Sequence, residues 1–362
     1  VTGGPAAPAR QPASAPVAAD VRICDPRTDP EPDDWVDFAR AVRPHAVWNH
    51  ALLGIEAWMS RNPPLLATVH QGGRIVAAFT VLVCRPRRVP RYAPDSRSAR
   101  GPVWAEVYQP WLSGFPGILH RPEVAGGPLR EAVRAVEREL VRALGRGLLG
   151  VFYRGVGPGL LPAVEGGGRI SRQTDSAAVL ENHFEGTEDW LAALSKSRRG
   201  GLRRQQRALA GDSSLVVRGG AGRTDLDAAV VARLINAHRA RFPAPPLDTR
   251  SPVAASYVDA LVRHPAVHTL TYHDDGGRLL ALNTMLDHPV TPVKQHWAAL
   301  SRADGGRPNL YFDAYVRAVR WATAHGRPRV SAGRGKLDVK ASLGFAPSPV
   351  HGVLVPRPVL GR

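Results

Sequence analysis

"SPVAASYVDALVRHPAVHTLTYHDDGGRLLALNTMLD" occupies residues 251–287, and "AVWNHALLGIEAWMSRNPPLLATVHQGGRIVAAFTVLV", residues 46–83, is built the same way. Each opens with apolar residues at helical spacing and breaks at a proline, His264-Pro265 in one and Asn62-Pro63 in the other. Each then has a β-rich run, a GGR turn (Gly276-Gly277-Arg278; Gly72-Gly73-Arg74) and another apolar run. Helical spacing buries one helix face, and a glycine pair supplies the positive φ that a tight hairpin needs.

The match continues beyond the hairpins. "PLREAVRAVERELVRALGRGLLGVFYRG" (128–155) and "PNLYFDAYVRAVRWATAHGRPRVSAGRG" (308–335) each read as a long helix, a glycine stop and a β-run. In the second helix Tyr311, Tyr315, Val319 and Ala322 share one side, and Asp313, Arg317, Arg320 and Thr323 form a polar stripe. Gly326 stands where a C-terminal cap belongs. The chain therefore reads as one α/β unit used twice, with a boundary near 170–180, after "PAVEGGGRIS". Residues 1–20, rich in Pro and Ala, read as a disordered tail, 21–175 as the N-terminal unit and 176–362 as the C-terminal unit.

With 362 residues and 44% hydrophobic content, the chain can fill two cores. The start of the sequence has neither the basic region nor the apolar region of a secretory signal, and no apolar run suits a membrane span. A cytoplasmic location is expected. Cys24 and Cys84 give no disulfide framework and no CxxC pattern, so no metal site is expected. No GxSxG, HExxH or P-loop is present to anchor a hydrolase or an NTPase. The formal charge of +17 favours polyanionic partners, although a coding bias toward arginine would also raise it. Of 48 basic residues only Lys196, Lys294, Lys336 and Lys340 are lysine. A compact ammonium kept in a background of planar guanidinium groups hints at specific need.

Two segments could carry chemistry. "GTEDWLAALSKSRRGGLRRQQRALAG" (186–211) begins with Thr187 as an expected N-cap, followed by acidic Glu188 and Asp189. Its core, 195–207, holds six positive charges in thirteen residues. Gly200-Gly201 is expected to interrupt the helix. A helix restarting there would join its free amides to Lys196, Arg198, Arg199, Arg203 and Arg204 in an anion site; a solvated basic face is the other reading. The second segment is "SAGRGKLDVKASLGF" (331–345). If it turns helically, Lys336 and Lys340 share one face at i,i+4 spacing, which suits an anion or oxyanion between them; a short basic surface helix fits the spacing equally.

The pattern S-x-R-x-x-L-R at 197–203, the GGR hairpin, the tyrosine-bearing helix and G-x-G-x-x-x-x-K-x-x-L-G-F at 333–345 together resemble the GNAT-fold acyltransferases, more narrowly their FemABX-like and BioF2-like branch. The resemblance covers residues 180–355, and the first half in layout only. It implies an α/β (α+β) fold of two tandem GNAT-like domains, each a mixed, mostly antiparallel sheet flanked by helices. It implies transfer of an acyl or aminoacyl group to an amine, with aminoacyl-tRNA as donor in the Fem-type enzymes. A lysine near the closing motif there holds the donor or stabilises the reacting carbonyl; Lys340 matches best, with Lys336 a second candidate and Arg334 beside them. The long helical tRNA arm of Fem ligases is missing from this sequence. The simple-GNAT motif for acetyl-CoA occurs only as Arg142-Ala143-Leu144-Gly145-Arg146-Gly147, at a predicted helix end where it reads as a cap.

The expected function is an N-acyltransferase moving an aminoacyl group from aminoacyl-tRNA to an amine of a small metabolite or peptide, without a resident cofactor. Acyl-CoA is the alternative donor, and a noncatalytic nucleic-acid-binding protein is the alternative class. His296 is a candidate for proton removal, and Asp313 for holding the incoming ammonium. Tyr311, Tyr315 and Lys294 are candidate substrate contacts, although each also reads as an ordinary core or surface residue.

Overall fold

Both GGR turns close hairpins. Gly72 and Gly73 sit at φ +59° and +78°, the conformation a two-residue turn requires, whereas in the second hairpin only Gly277 (φ +81°) does. There the Arg278 amide donates to Asp274 Oδ1 at 2.8 Å. The computed structural model describes residues 20–93, 101–242 and 251–362. The expected tail lies outside the described residues except for Asp20, which opens the first strand.

The first unit runs β1 (Asp20–Cys24), α1 (Trp35–Val42), α2 (His50–Met59), β2 (Pro64–Gln71), β3 (Arg74–Cys84), β4 (Val103–Val107) and β5 (Ile118–His120). It continues through α3 (Gly127–Leu144), β6 (Leu148–Val156), α4 (Leu161–Val164) and β7 (Ile170–Gln173). The second unit has β8 (Ala177–Glu181), α5 (Thr187–Ala193), α6 (Lys196–Ala210), β9 (Leu215–Ala221), α7 (Ala228–Ala240) and α8 (Ala255–Arg263). Next come β10 (Val267–Asp274), β11 (Leu279–Leu286), β12 (Val293–Ala299) and α9 (Leu310–Ala324). The chain ends with β13 (Arg329–Ser331), α10 (Leu337–Ala341), β14 (Ala346–Ser348) and β15 (His351–Pro356).

The repeat is real in three dimensions. Hairpin β2–β3, third strand β4, long helix α3 and parallel strand β6 correspond to β10–β11, β12, α9 and β13. The first sheet has the order β1-β2-β3-β4-β6-β15-β7 with β5 on β3, and the second β14-β8-β13-β12-β11-β10-β9. Each sheet is antiparallel except for one pair, β4 with β6 and β12 with β13, where the long helix makes the crossover. Equivalent helices α2 and α8 pack on each other, and one apolar cluster joins both units through Trp48, Leu53, Trp111, Tyr257 and Leu261.

The division at 175/176 needs one correction. Strand β15 returns to the first sheet and inserts between β6 and β7, pairing His351 with Val156 and Gln173. A second tie is Glu137 of α3, fully buried, which accepts from Tyr153 Oη at 2.8 Å, Arg169 Nη2 at 2.7 Å and the Gly361 amide at 2.8 Å. The last residues are thus fastened to the first unit.

The basic helix also departs from expectation. Helix α6 runs unbroken through Gly200-Gly201, and Ser195 Oγ caps it by accepting the Arg198 amide at 3.3 Å. Packing outweighs the cost of about 1 kcal/mol per interior glycine. Leu202 is buried with Trp190, Leu191 and Tyr315, and the Arg198 guanidinium lies 5.1 Å from the Phe312 ring centre. No helix restarts at the glycines, so the anion site expected there does not form. Gly186, not Thr187, is the N-cap of α5.

Candidate active site

The two parallel pairs differ in a way that creates a cleft. In the first unit β4 and β6 stay paired from Val103–Leu148 to Val107–Tyr153. In the second, β12 and β13 meet at a single register pair, Val293–Ser331, and then diverge. Between them opens a cavity of about 840 Å³, with Lys294, Gln295 and Trp297 from one side and Ala332, Arg334, Gly335 and Lys336 from the other.

A β-bulge sets which side chains enter it. Asn283 pairs with Trp297 and Met285 with Lys294, so β12 carries one residue more than β11 across this stretch. Thr284 holds the bulge: its Oγ1 donates to Gln295 Oε1 and accepts the His296 amide, both at 3.1 Å. The extra residue re-aims the strand. Lys294 and Trp297, three apart, both face the cavity, while His296 turns to the edge of the Trp111 ring, 5.6 Å between centres. Strict alternation, which would place Lys294 and His296 on one face, is therefore corrected.

Lys294 is 6% exposed. Its Nζ lies 4.6 Å from the ring centre of Tyr315, 5.2 Å from Trp297 and 5.5 Å from Tyr311. Burial, with a smaller contribution from the charge of Lys340, brings its pKa down to about 7. Tyr311 Oη and Tyr315 Oη are 3.2 Å apart, and burial holds both phenols protonated above their ordinary range.

The lysine pair of the closing motif splits into two roles. Lys336 stands at the N-cap of α10 with φ +48°, its Nζ 5.3 Å from the Phe242 ring centre and 5.8 Å from Tyr311. Lys340, one turn on, is buried and spends its ammonium on three carbonyls: Ala332 at 2.7 Å, Gly333 at 3.0 Å and Arg334 at 3.0 Å. Burial and Lys336 lower its pKa to about 8. An oxyanion role for Lys340 needs a donor that these carbonyls already take. The expected shared face is replaced by a latch (Lys340) and a cation at the cavity wall (Lys336).

Of the other candidates, Arg334 lines the cavity, and its amide donates to Ser113 Oγ of the first unit at 3.3 Å. Asp313 does not line it; this buried carboxylate accepts from Tyr272 Oη at 2.9 Å and Arg317 Nε at 2.6 Å. Lys196, Arg198, Arg199, Arg203 and Arg204, with Gly200 and Gly201, lie on α6 away from the cavity lining. Arg199 Nη1 donates to the Ala192 carbonyl at 2.9 Å, and Arg203 pairs with Glu188 at 2.5 Å. Helix α6 packs on α9, which carries Tyr311 and Tyr315 into the cavity.

The C-terminal end of α7 contributes Asn236, His238 and Arg239, which the sequence reading passed over. Basic residues in the last turn of a helix complement its dipole, so their presence in "INAHRARF" (235–242) draws no notice. Arg239 lies 5.2 Å from the Trp111 ring centre. The cavity therefore gathers Arg239, Lys294, Arg334, Lys336 and Lys340, and no carboxylate appears among the described residues lining it.

Two GNAT-like units in tandem, the second with a splayed parallel pair, make up a fold that has counterparts among solved structures. No protein-family model and no curated protein sequence matches the chain. Among solved structures it is similar to FemX, with a TM-score of 0.55 at 10% identity over 89% of this chain and 96% of that one. It is similar to L-PGS from Bacillus licheniformis, with a TM-score of 0.56 at 8% identity over 92% of this chain and 98% of that one. It is also similar to the C-terminal domain of a candidate lysylphosphatidylglycerol synthetase from Agrobacterium fabrum, with a TM-score of 0.55 at 13% identity over 89% and 92%. At these identities the likeness is one of fold. Among the described residues no helix is long and apolar enough to cross a membrane.

Proposed function

We propose that the chain is a cytoplasmic N-acyltransferase that moves an aminoacyl group from aminoacyl-tRNA to an amine of a small metabolite or peptide. The observation that carries this reading is the cleft between β12 and β13, where cations and a buried lysine without a carboxylate partner face a cavity large enough for an acyl chain and an acceptor. An ester donor is already activated, so the site needs chiefly to align carbonyl and amine; orientation can supply roughly 7–11 kcal/mol of barrier reduction. Lys336 and Arg334 take the donor's negative charge and the developing oxyanion. Lys340 holds their loop in place. Tyr311 and Tyr315 form the aromatic wall that positions the acyl group. The basic face of α6, with Lys196 and Arg204 exposed, follows the tRNA backbone outside the cleft.

An acyl-CoA donor lacks its usual loop here: Gly145, at φ +64°, ends α3 instead of opening a helix toward a pyrophosphate. Binding of nucleic acid alone gives no use for a lysine buried among three aromatic rings. Mass spectrometry of products from a panel of charged tRNAs and acyl-CoAs, each offered with mixed amines, tests the reading. Amide formed only from charged tRNA, and lost after ribonuclease treatment, is the expected result. Product from acetyl-CoA alone overturns the donor assignment.

A further inference from the structure

We propose that Lys294 is the catalytic proton acceptor: its Nζ, facing the cavity among Tyr311, Tyr315 and Trp297, takes the proton that the acceptor amine releases on attacking the acyl carbonyl. This deepens the transfer reaction proposed above and rests on it. The amine lone pair forms the new C–N bond, and the carbonyl π electrons move to oxygen. Lys294 removes a proton from the nitrogen, which has become positively charged. Collapse of the oxyanion breaks the ester C–O bond, and the ribose oxygen leaves with the proton that Lys294 returns. Ester and amine become amide and alcohol, with no net change at the lysine.

Three observations single out this side chain. Among the described residues, Lys294 Nζ has no hydrogen-bond or ion-pair partner, so its lone pair is not withheld by a permanent salt bridge. Lys340 is saturated by carbonyls, and Lys336 is exposed. The ring faces of Tyr315, Trp297 and Tyr311, at 4.6, 5.2 and 5.5 Å, attract the ammonium as it forms. The titratable and charged groups around the site are Tyr311 and Tyr315 on α9, Lys340 on α10, Arg334 and Lys336 on the loop before it, and His238 and Arg239 on α7. None is a carboxylate, so nothing in this set locks Lys294 in the charged form, and burial leaves it balanced near neutrality, where a general base works best.

The two histidines nearby are poorer candidates. His296 is turned out of the cavity by the bulge. At His238 the ring Nδ1 is already engaged by the Ala299 backbone and by Arg241, so this nitrogen is not free to take a proton from substrate.

The test uses Lys294→Met, which fills the aromatic box with an uncharged chain of similar shape, and Lys294→Arg, which keeps charge but cannot give up a proton near neutral pH. Thermal melting first confirms that each variant folds. An activity-independent readout follows: pyridoxal 5′-phosphate, an anionic aldehyde, with borohydride trapping at pH 7.5 and peptide mapping. Lys294 is expected to label ahead of exposed Lys196; labelling of Lys196 with Lys294 spared overturns the proposal. The amide-forming assay is then run across pH. In wild type the rate rises through pH about 7. Both variants are expected to lose about 100-fold or more in kcat, and that inflection, with the KM for charged tRNA unchanged. If wild type forms amide and Lys294→Met keeps its rate and profile, the proton-acceptor role is wrong while the transferase reading stands. If wild type forms no amide from any donor, both fall.

Discussion

Lys340 Nζ donates to the carbonyl of Ala332 at 2.7 Å, and the same ammonium reaches the carbonyls of Gly333 and Arg334. One side chain on α10 thereby holds a loop in which Gly333, Gly335 and Lys336 all have positive φ, at +64°, +79° and +48°. Such a loop offers little regular backbone pairing, so a buried cation substitutes for it. Three acceptors from consecutive residues suit the tetrahedral spread of an ammonium and not a planar guanidinium. That explains why a chain so rich in arginine keeps lysine here. Lys340→Met and Lys340→Arg are both expected to lower stability by about 1–3 kcal/mol, the cost of unpaired buried groups, and to lower transfer activity through the displaced loop. Urea unfolding measures the first effect. Wild-type stability in Lys340→Arg would contradict the latch.

The unbroken α6 leads to a prediction in the opposite direction. A Cβ added at Gly201 meets nothing within 4 Å, and at Gly200 only the Arg204 guanidinium at an ordinary 3.6 Å. Gly201→Ala should therefore stabilise the protein by roughly 0.5–1 kcal/mol, as expected for a half-buried helical position with room for a methyl group. A fall in melting temperature would mean that α6 is not continuous in solution. Should the variant be more stable yet bind tRNA more weakly, the glycine serves close approach of the phosphate backbone.

Glu56 gives stability a particular pH dependence. Burial raises its carboxyl from 4.5 to about 8, with the Trp111 indole pulling the other way. Between these values the folded state keeps a proton that the unfolded chain has lost. The contribution is thus full below pH 4.5 and is lost as pH rises toward 8. His45, lowered from 6.5 to about 3 by burial and the neighbouring His288, has the opposite sense: its stability is full above pH 6.5 and is lost in acid. Between pH 6.5 and 8 the Glu56 contribution falls with pH, while Lys294, lowered to about 7, and Lys340, lowered to about 8, contribute stability that rises with pH. Glu56 is isolated by difference, and wild type is expected to lose on the order of 1–2 kcal/mol relative to Glu56→Gln over that interval. Glu56→Gln lacks that falling part and should keep only the rise from the two buried lysines. Urea unfolding at pH 6.5 and pH 8 decides, and equal slopes for the two proteins would refute the assignment.

The basic face of α6 makes a salt-dependent prediction. Lys196 and Arg204 are exposed and have no recorded partner among the described residues. Replacing both by Ala should weaken tRNA binding most at low salt. The plot of log affinity against log salt should become shallower by about 1–2, since each phosphate contact contributes roughly 0.7–0.9 to that slope. Filter binding at several salt concentrations measures it; an unchanged slope would place the tRNA elsewhere.

The sequence reveals the doubled unit because its signals are local: a proline break, a GGR turn and helical spacing recur at matching positions. What it hides is set by distant pairing. That β15 completes the first sheet follows from its contacts with β6 and β7, nearly two hundred residues back, and leaves no mark in the linear pattern. Gly200-Gly201 looks like a breaker until Leu202 and Arg198 find their partners on neighbouring elements. Lys294 and His296 look like strand neighbours on one face until Thr284 fixes the bulge between them. The scarcity of lysine points to the cleft from composition alone, since Lys294, Lys336 and Lys340 all line it. It does not tell latch from base, because that depends on which carbonyls and rings surround each ammonium.

The central claim is that the cleft between β12 and β13 receives the acyl end of a charged tRNA. The most direct measurement is a crystal structure with a hydrolysis-resistant analogue, an RNA acceptor stem ending in a 3′-amide-linked amino acid. The account predicts the amide carbonyl lodged between Lys294 and Lys336, with the stem along α6. An analogue bound on another face, or one that leaves this cleft empty at saturating concentration, would contradict it.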